Sequence, residues 1–149
     1  MSALTLGQAI RNLKRINLQK LQSETARIIK SDPNLVFRKQ DEFRQGENPD
    51  GSVIGYYRSS EYQLMKQQQN PLAGGTVDLI LTGSTIKHLQ VVYLGDGIYE
   101  LYSTDAKWPS LVDKYGKQIQ FVNEDFFRGL QQHEYAPKLL QRIKEISGL

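Results

Sequence analysis

The run TVDLILTGSTIKHLQVVYLGDGIYELYSTDAKWPSLVDKYG, residues 76–116, decides the fold. Thr76 to Leu81 alternates: Val77, Leu79 and Leu81 share one parity, Asp78 and Ile80 the other, which is the period of a strand. Gly83 follows at once, and glycine there predicts a positive φ or a backbone approach too close for a Cβ. Leu89, Val91 and Tyr93 form a second alternating set. Leu94-Gly95-Asp96-Gly97 then sets Asp-Gly between two β-rich runs, a strong hairpin signal with Gly97 in the turn. Ile98 to Tyr102 returns as the partner strand. Ser103, Thr104 and Asp105 are N-cap candidates for a short helix, with Pro109 in its first turn and Gly116 just past its end.

Toward the N-terminus, Leu6 to Lys30 reads as one long helix. Leu6, Ile10, Leu13, Leu21 and Ile28 fall in one narrow arc, which Asn17 and Glu24 interrupt. Ser31-Asp32-Pro33-Asn34 ends it, and Leu35 to Arg44 has room for a further helical turn or two. Glu47 to Gly51 is a turn, and Val53 to Tyr57 has strand character. Arg58 to Gly75 shows no periodicity and reads as a long loop, of the kind that is mobile or ordered by a partner. Beyond Gly116, Gln118 to Val122 reads as a short strand. Asn123 is a good N-cap, Glu124 and Asp125 suit a first helical turn, and Pro137 should kink the last helix. The sum is an α+β fold in a single domain over 1–149. A long helix at 4–30 packs on a small antiparallel sheet of three or four strands at 76–103. A loop occupies 58–75, and a short helix and a bent C-terminal helix follow at 105–147.

Composition narrows function by exclusion. There is no cysteine, hence no thiolate chemistry and no disulfide framework. No run of 18 apolar residues occurs, so no membrane partner is expected, and the N-terminus lacks a signal-peptide pattern. Phosphate-binding loops, dinucleotide glycine fingerprints and zinc-protease helices are missing from the sequence. His88 and His133 lie on separate elements. Ser84 has Thr82 and Ile86 where a nucleophile elbow needs glycines, which leaves a hydrolase without its site. No catalytic residue, metal ligand or cofactor is assigned. Charge is uneven: residues 1–40 carry +6, residues 41–105 carry −5 and residues 106–149 carry +2. A basic first third beside an acidic middle suits head-to-tail packing between copies. Arg11, Lys14, Arg15 and Lys20 on the first helix, and Gln67, Gln68 and Gln69 in the loop, are the candidate contact residues. The alternative is a small nucleic-acid-binding module whose basic helix meets phosphates, without sequence-specific contacts.

Four features together resemble a family: the Leu6–Lys30 helix; Leu81-Thr82-Gly83 followed by the strand Leu89–Tyr93; Lys114-Tyr115-Gly116 closing a short charged helix; and Phe121-Val122-Asn123-Glu124-Asp125 opening the last helix. The chain resembles, over residues 4–30 and 76–147, the virion morphogenesis proteins of tailed bacteriophages: head–tail joining, neck or tail-completion subunits. The resemblance implies a non-enzymatic, cofactor-free structural protein, made in the host bacterial cytoplasm and built into the virion. It would form a ring with copies of itself, either from the chain alone or only once in the virion, and meet portal, connector or tail proteins. Gly83, Gly97 and Gly116 would be its structural turns.

Overall fold

A computed structural model of the chain describes residues 5–14, 16–80, 83–96 and 98–148, with the side chains of Ala9 and Leu13 also outside the description. The fold is α+β, as expected. The N-terminal helical run, however, divides into α1 (Leu6–Lys14) and α2 (Leu18–Ser31). Asn17, which looked like a polar interruption of one helix, is the N-cap of the second: its side chain accepts from the backbone N–H of Lys20 at 2.9 Å. Helix α2 lies on β1 (Leu89–Gly95), which pairs antiparallel with β2 (Ile98–Ser103). Pairing runs from Leu89 opposite Ser103 to Tyr93 opposite Tyr99, with an irregularity between Tyr93 and Gly95.

Among the described residues the sheet has two strands, fewer than expected. Thr76 to Ile80 is irregular chain, bent at Leu79 and tied by one bridge from Thr76 to Tyr56. Val77 and Leu79 point into the core as their parity predicts, but Asp78 is buried too, and Leu79 has φ 54°. A strand cannot run on through a residue in the left-handed region. Gly83 has φ 76° and precedes the single turn α5 (Ser84–Lys87). Its positive φ is the expected one, while the nearest atom to a Cβ there would be Lys87 Cε at 3.9 Å, so conformation rather than crowding calls for glycine. Leu81, Thr82 and Gly97 lie outside the described residues.

The 58–75 loop contains a helix, α4 (Ser60–Gln69), followed by a 3-10 turn, Pro71–Ala73. Ser59 caps α4 by accepting from the Tyr62 N–H at 3.3 Å. Its apolar residues form no stripe, which is why periodicity missed it. Helix α3 (Asn34–Gln45) runs for three turns, and Gln118 to Val122 is no strand: Gln118 to Gln120 lie within the 3-10 turn Lys117–Gln120, and Phe121 and Val122 follow it as irregular chain. Helix α6 (Trp108–Tyr115) starts later than expected and ends at Gly116. At the C-terminus α7 (Glu124–Leu130) is capped by Asn123, which accepts from Phe126 N–H at 3.0 Å. It passes through a π-turn, Gln131–Tyr135, into α8 (Ala136–Ser147). Pro137 explains that turn: it has no N–H for the preceding turn and its ring needs room, and the wider π register supplies it.

Two apolar clusters fill the interior. In one, Ile28 and Ile29 of α2 meet Leu35, Val91, Tyr99, Leu101, Val122 and Tyr135. In the other, Phe43, Ile54, Val77, Leu79, Ile86, Leu89, Trp108 and Ile119 pack together, and Val36 touches both. Full burial of Leu35, Leu101 and Ile119 stabilises by about 1.5–3 kcal/mol each.

Candidate interaction surface

Helix α1 stands at the edge of the body. Thr5 and Gln8 cap it reciprocally: Thr5 N–H donates to Gln8 Oε1 at 2.8 Å, and Gln8 N–H donates to Thr5 Oγ1 at 3.3 Å. It packs against α8, where Asn12 Nδ2 donates to the Ser147 carbonyl at 3.1 Å. At about 100° per residue, Asn12 sits on the face opposite Ile10 and Lys14. The other side therefore looks away from α8, with Leu6 78% and Ile10 44% exposed. Arg11 and Lys14 flank that edge, exposed and with no ion pair among the described residues. Arg15 lies outside the described residues.

Lys20 is engaged elsewhere. It sits 3.3 Å from Glu24, a buried carboxylate that also takes Arg27 at 2.9 Å and Arg142 of α8 at 3.1 Å. Burial alone would raise the Glu24 pKa, but hydrogen bonds from Lys20, Arg142 and Arg27 outweigh it and hold the carboxyl below its ordinary range. The adjoining cleft of about 510 Å³ between α2 and α8 carries Arg27, Lys138 and Arg142. Glu24, Glu134 and Glu145 neutralise those cations, so the cleft is not an anion site.

Gln67, Gln68 and Gln69 are exposed on α4, beside Leu72 at 71% exposure. What positions them is Lys66, 3% exposed, whose Nζ lies 2.8 Å from Asp78 Oδ1 and donates to the Ile80 carbonyl at 2.7 Å. Asn70 Nδ2 reaches Asp78 Oδ2 at 3.0 Å and the Arg44 carbonyl at 2.6 Å. A second buried pair, Lys39 with Glu42 at 3.2 Å, ties α3 to the chain before α7. Lys39 Nζ donates to the Phe121 carbonyl at 2.6 Å, and Glu42 accepts from the Asn123 N–H at 2.9 Å. Burial pulls the Lys39 pKa down to about 8 against the opposing pull of Glu42. The charge bias of the sequence is thus partly internal: Glu42 and Asp78 of the acidic middle, and Lys39 and Lys20 of the basic third, are spent within the fold.

The feature that sequence reasoning missed is the outer face of the hairpin. Val92 and Leu94 of β1 and Glu100 and Tyr102 of β2 share the parity opposite to the core residues. With Trp108, Pro109, Val112 and Asp113 of α6 they line a groove of about 490 Å³. Gln120 Nε2 donates to Glu100 Oε1 at 2.6 Å at its wall, and Tyr102 OH donates to Gln90 at 2.7 Å. Leu94 is 57% exposed. A signal existed in the sequence, since Val92, Leu94 and Ile98 make both parities of the hairpin apolar, the pattern of a sheet covered on both faces.

His88 and His133 are exposed, and the His88 ring lies 2.8 Å from the Ser84 carbonyl. Among the described residues no group of three or more His, Asp or Glu is placed to hold a metal ion. No helix there is long and apolar enough to cross a membrane. No family model, no curated protein and no solved structure matches this chain.

Proposed function

We propose that the chain is a structural subunit of a tailed-phage virion that forms or completes a ring at the head–tail connector or the tail end. The resemblance of its motifs to virion morphogenesis proteins motivates the reading. The observation that carries it is the outward edge of α1, where Leu6 and Ile10 are exposed next to Arg11 and Lys14, two exposed cations with no ion pair among the described residues. A nine-residue helix is too short to persist on its own propensity, and an amphipathic one with its apolar edge in water is built to be covered. Self-association covers it, with portal, connector or tail proteins as further neighbours. The reading needs no cofactor and no catalytic group.

Binding of nucleic acid through the first helix draws less support. Lys20 is committed to Glu24, which leaves Arg11 and Lys14 as the described cations of that set. Electron microscopy of lysates tests the assignment, using a phage genome in which this gene is interrupted. Filled heads and unjoined or unfinished tails are expected, and plasmid-borne gene should restore whole particles. Normal infectious virions from the interrupted genome overturn the assignment.

A further inference from the structure

The exposed edge of α1 and the groove on the outer face of the hairpin are complementary in charge and alike in apolar character. The groove offers an apolar floor from Val92 and Leu94, walled by Pro109 and Val112. Its carboxylates are Glu100 and Asp113. Helix α1 offers Leu6 and Ile10, flanked by Arg11 and Lys14. Nine helical residues span about 13 Å, and six or seven strand residues about 20 Å, so the helix fits along the ribbon. We infer that α1 of one copy docks in the hairpin–α6 groove of the next, with Leu6 and Ile10 on Val92 and Leu94, and Lys14 facing Asp113.

This contact rests on the ring reading and deepens it by naming both halves of the joint. It is heterologous, since one surface meets a different surface on its neighbour, and such contacts propagate in one direction until rotation closes them into a ring. Two helical turns bury less than the roughly 1,200–2,000 Å² of a standard stable interface. One joint is therefore weak, and ring closure, which makes the last contact intramolecular, supplies the stability.

The natural chain has no cysteine, so engineered thiols report the joint without background. One batch carries Ile10→Cys and a second carries Leu94→Cys or Pro109→Cys, all at exposed positions. Mixing them under mild oxidant crosslinks only separate chains whose Cα atoms come within about 7 Å. Leu72→Cys, an apolar site 71% exposed in the 3-10 turn after α4, is the reference. Crosslinking of Ile10→Cys to the groove should exceed that to Leu72→Cys several-fold. Lys14→Glu and Asp113→Lys should each weaken self-association about tenfold, and the chain with both should recover. Self-association without preferential groove crosslinks, or without recovery in the double variant, overturns this joint and leaves the ring reading standing. Absence of self-association at every concentration overturns this joint, whereas normal virions from the interrupted genome overturn the ring reading.

Discussion

Removing Asp78 should be among the most damaging single changes in this fold. Asp78 is 1% exposed and gathers four donors: Lys66 Nζ at 2.8 Å, Asn70 Nδ2 at 3.0 Å, the Ile80 N–H at 3.0 Å and Tyr57 OH at 3.4 Å. In Asp78→Ala the Lys66 ammonium stays buried with the Ile80 carbonyl as its remaining acceptor. Breaking a buried pair in this way costs about 3–5 kcal/mol, because one charge is left uncompensated. Set against a total stability of about 5–15 kcal/mol, that takes a large fraction of the fold. Lys66→Met should cost less, about 2 kcal/mol, since Asp78 keeps three donors. The double variant Lys66→Met/Asp78→Ala should cost clearly less than the sum, because neither charge is then stranded. Urea unfolding followed by far-UV circular dichroism at pH 7 gives the three values. Additive losses, or an Asp78→Ala penalty below about 1 kcal/mol, would refute the claim that this pair holds α4 against the body.

Alkaline pH should stabilise the protein before it unfolds it. The Lys39 pKa falls from 10.5 to about 8 on folding, so between those values the unfolded chain alone holds the proton and this group's contribution to stability rises with pH, by about 3 kcal/mol. Above the ordinary tyrosine value of 10.0, Tyr57, Tyr99 and Tyr135 ionise first in the unfolded chain, because burial raises each in the fold. Chemical denaturation across pH 7–11 should thus peak near pH 10, and Lys39→Met should flatten the rising limb. At Gly83, with φ 76°, a β-branched side chain is strained, and Gly83→Val should destabilise by about 1–3 kcal/mol in thermal melts. Gly129→Ala is the control, since a Cβ added there would meet nothing within 4 Å beyond its own helix backbone and it sits inside α7, so it should be neutral or stabilising by up to about 1 kcal/mol. Gly95 cannot serve as control: its φ of 95° makes Gly95→Ala a strained change itself.

Local chemistry made much of this fold readable. Asp96 takes φ 51° in the hairpin that Asp-Gly announced, Asn123 caps α7, and Gly116 ends α6. Pro137 marks the bend through the π-turn before α8. What periodicity could not reach was decided by partners distant in sequence. Asn17 reads as a flaw in an apolar stripe until the helix is seen to restart there. Helix α4 has no apolar face because its anchor is a lysine, and Lys66 is buried only because Asp78, twelve residues on, turns inward. That same turn ends the expected strand at 76–81. The groove was half legible: Val92 and Leu94 signalled a second buried face, but that α6 would wall it, and bring Asp113 to it, is a matter of tertiary packing. Of the proposed contact residues, Arg11, Lys14 and Gln67 to Gln69 are exposed, while Lys20 is drawn into the Glu24 cluster.

The proposed joint would close rings from the chain alone, and the molar mass of the purified chain at rising concentration tests that most directly. Light scattering should be recorded from about 10 μM to about 1 mM, the range in which a weak joint becomes populated. A ring-forming subunit should climb from the 17.1 kDa of one chain to a plateau at a fixed integral multiple, because closure stops growth. A mass that stays at 17.1 kDa throughout, or one that rises without a plateau, would contradict it.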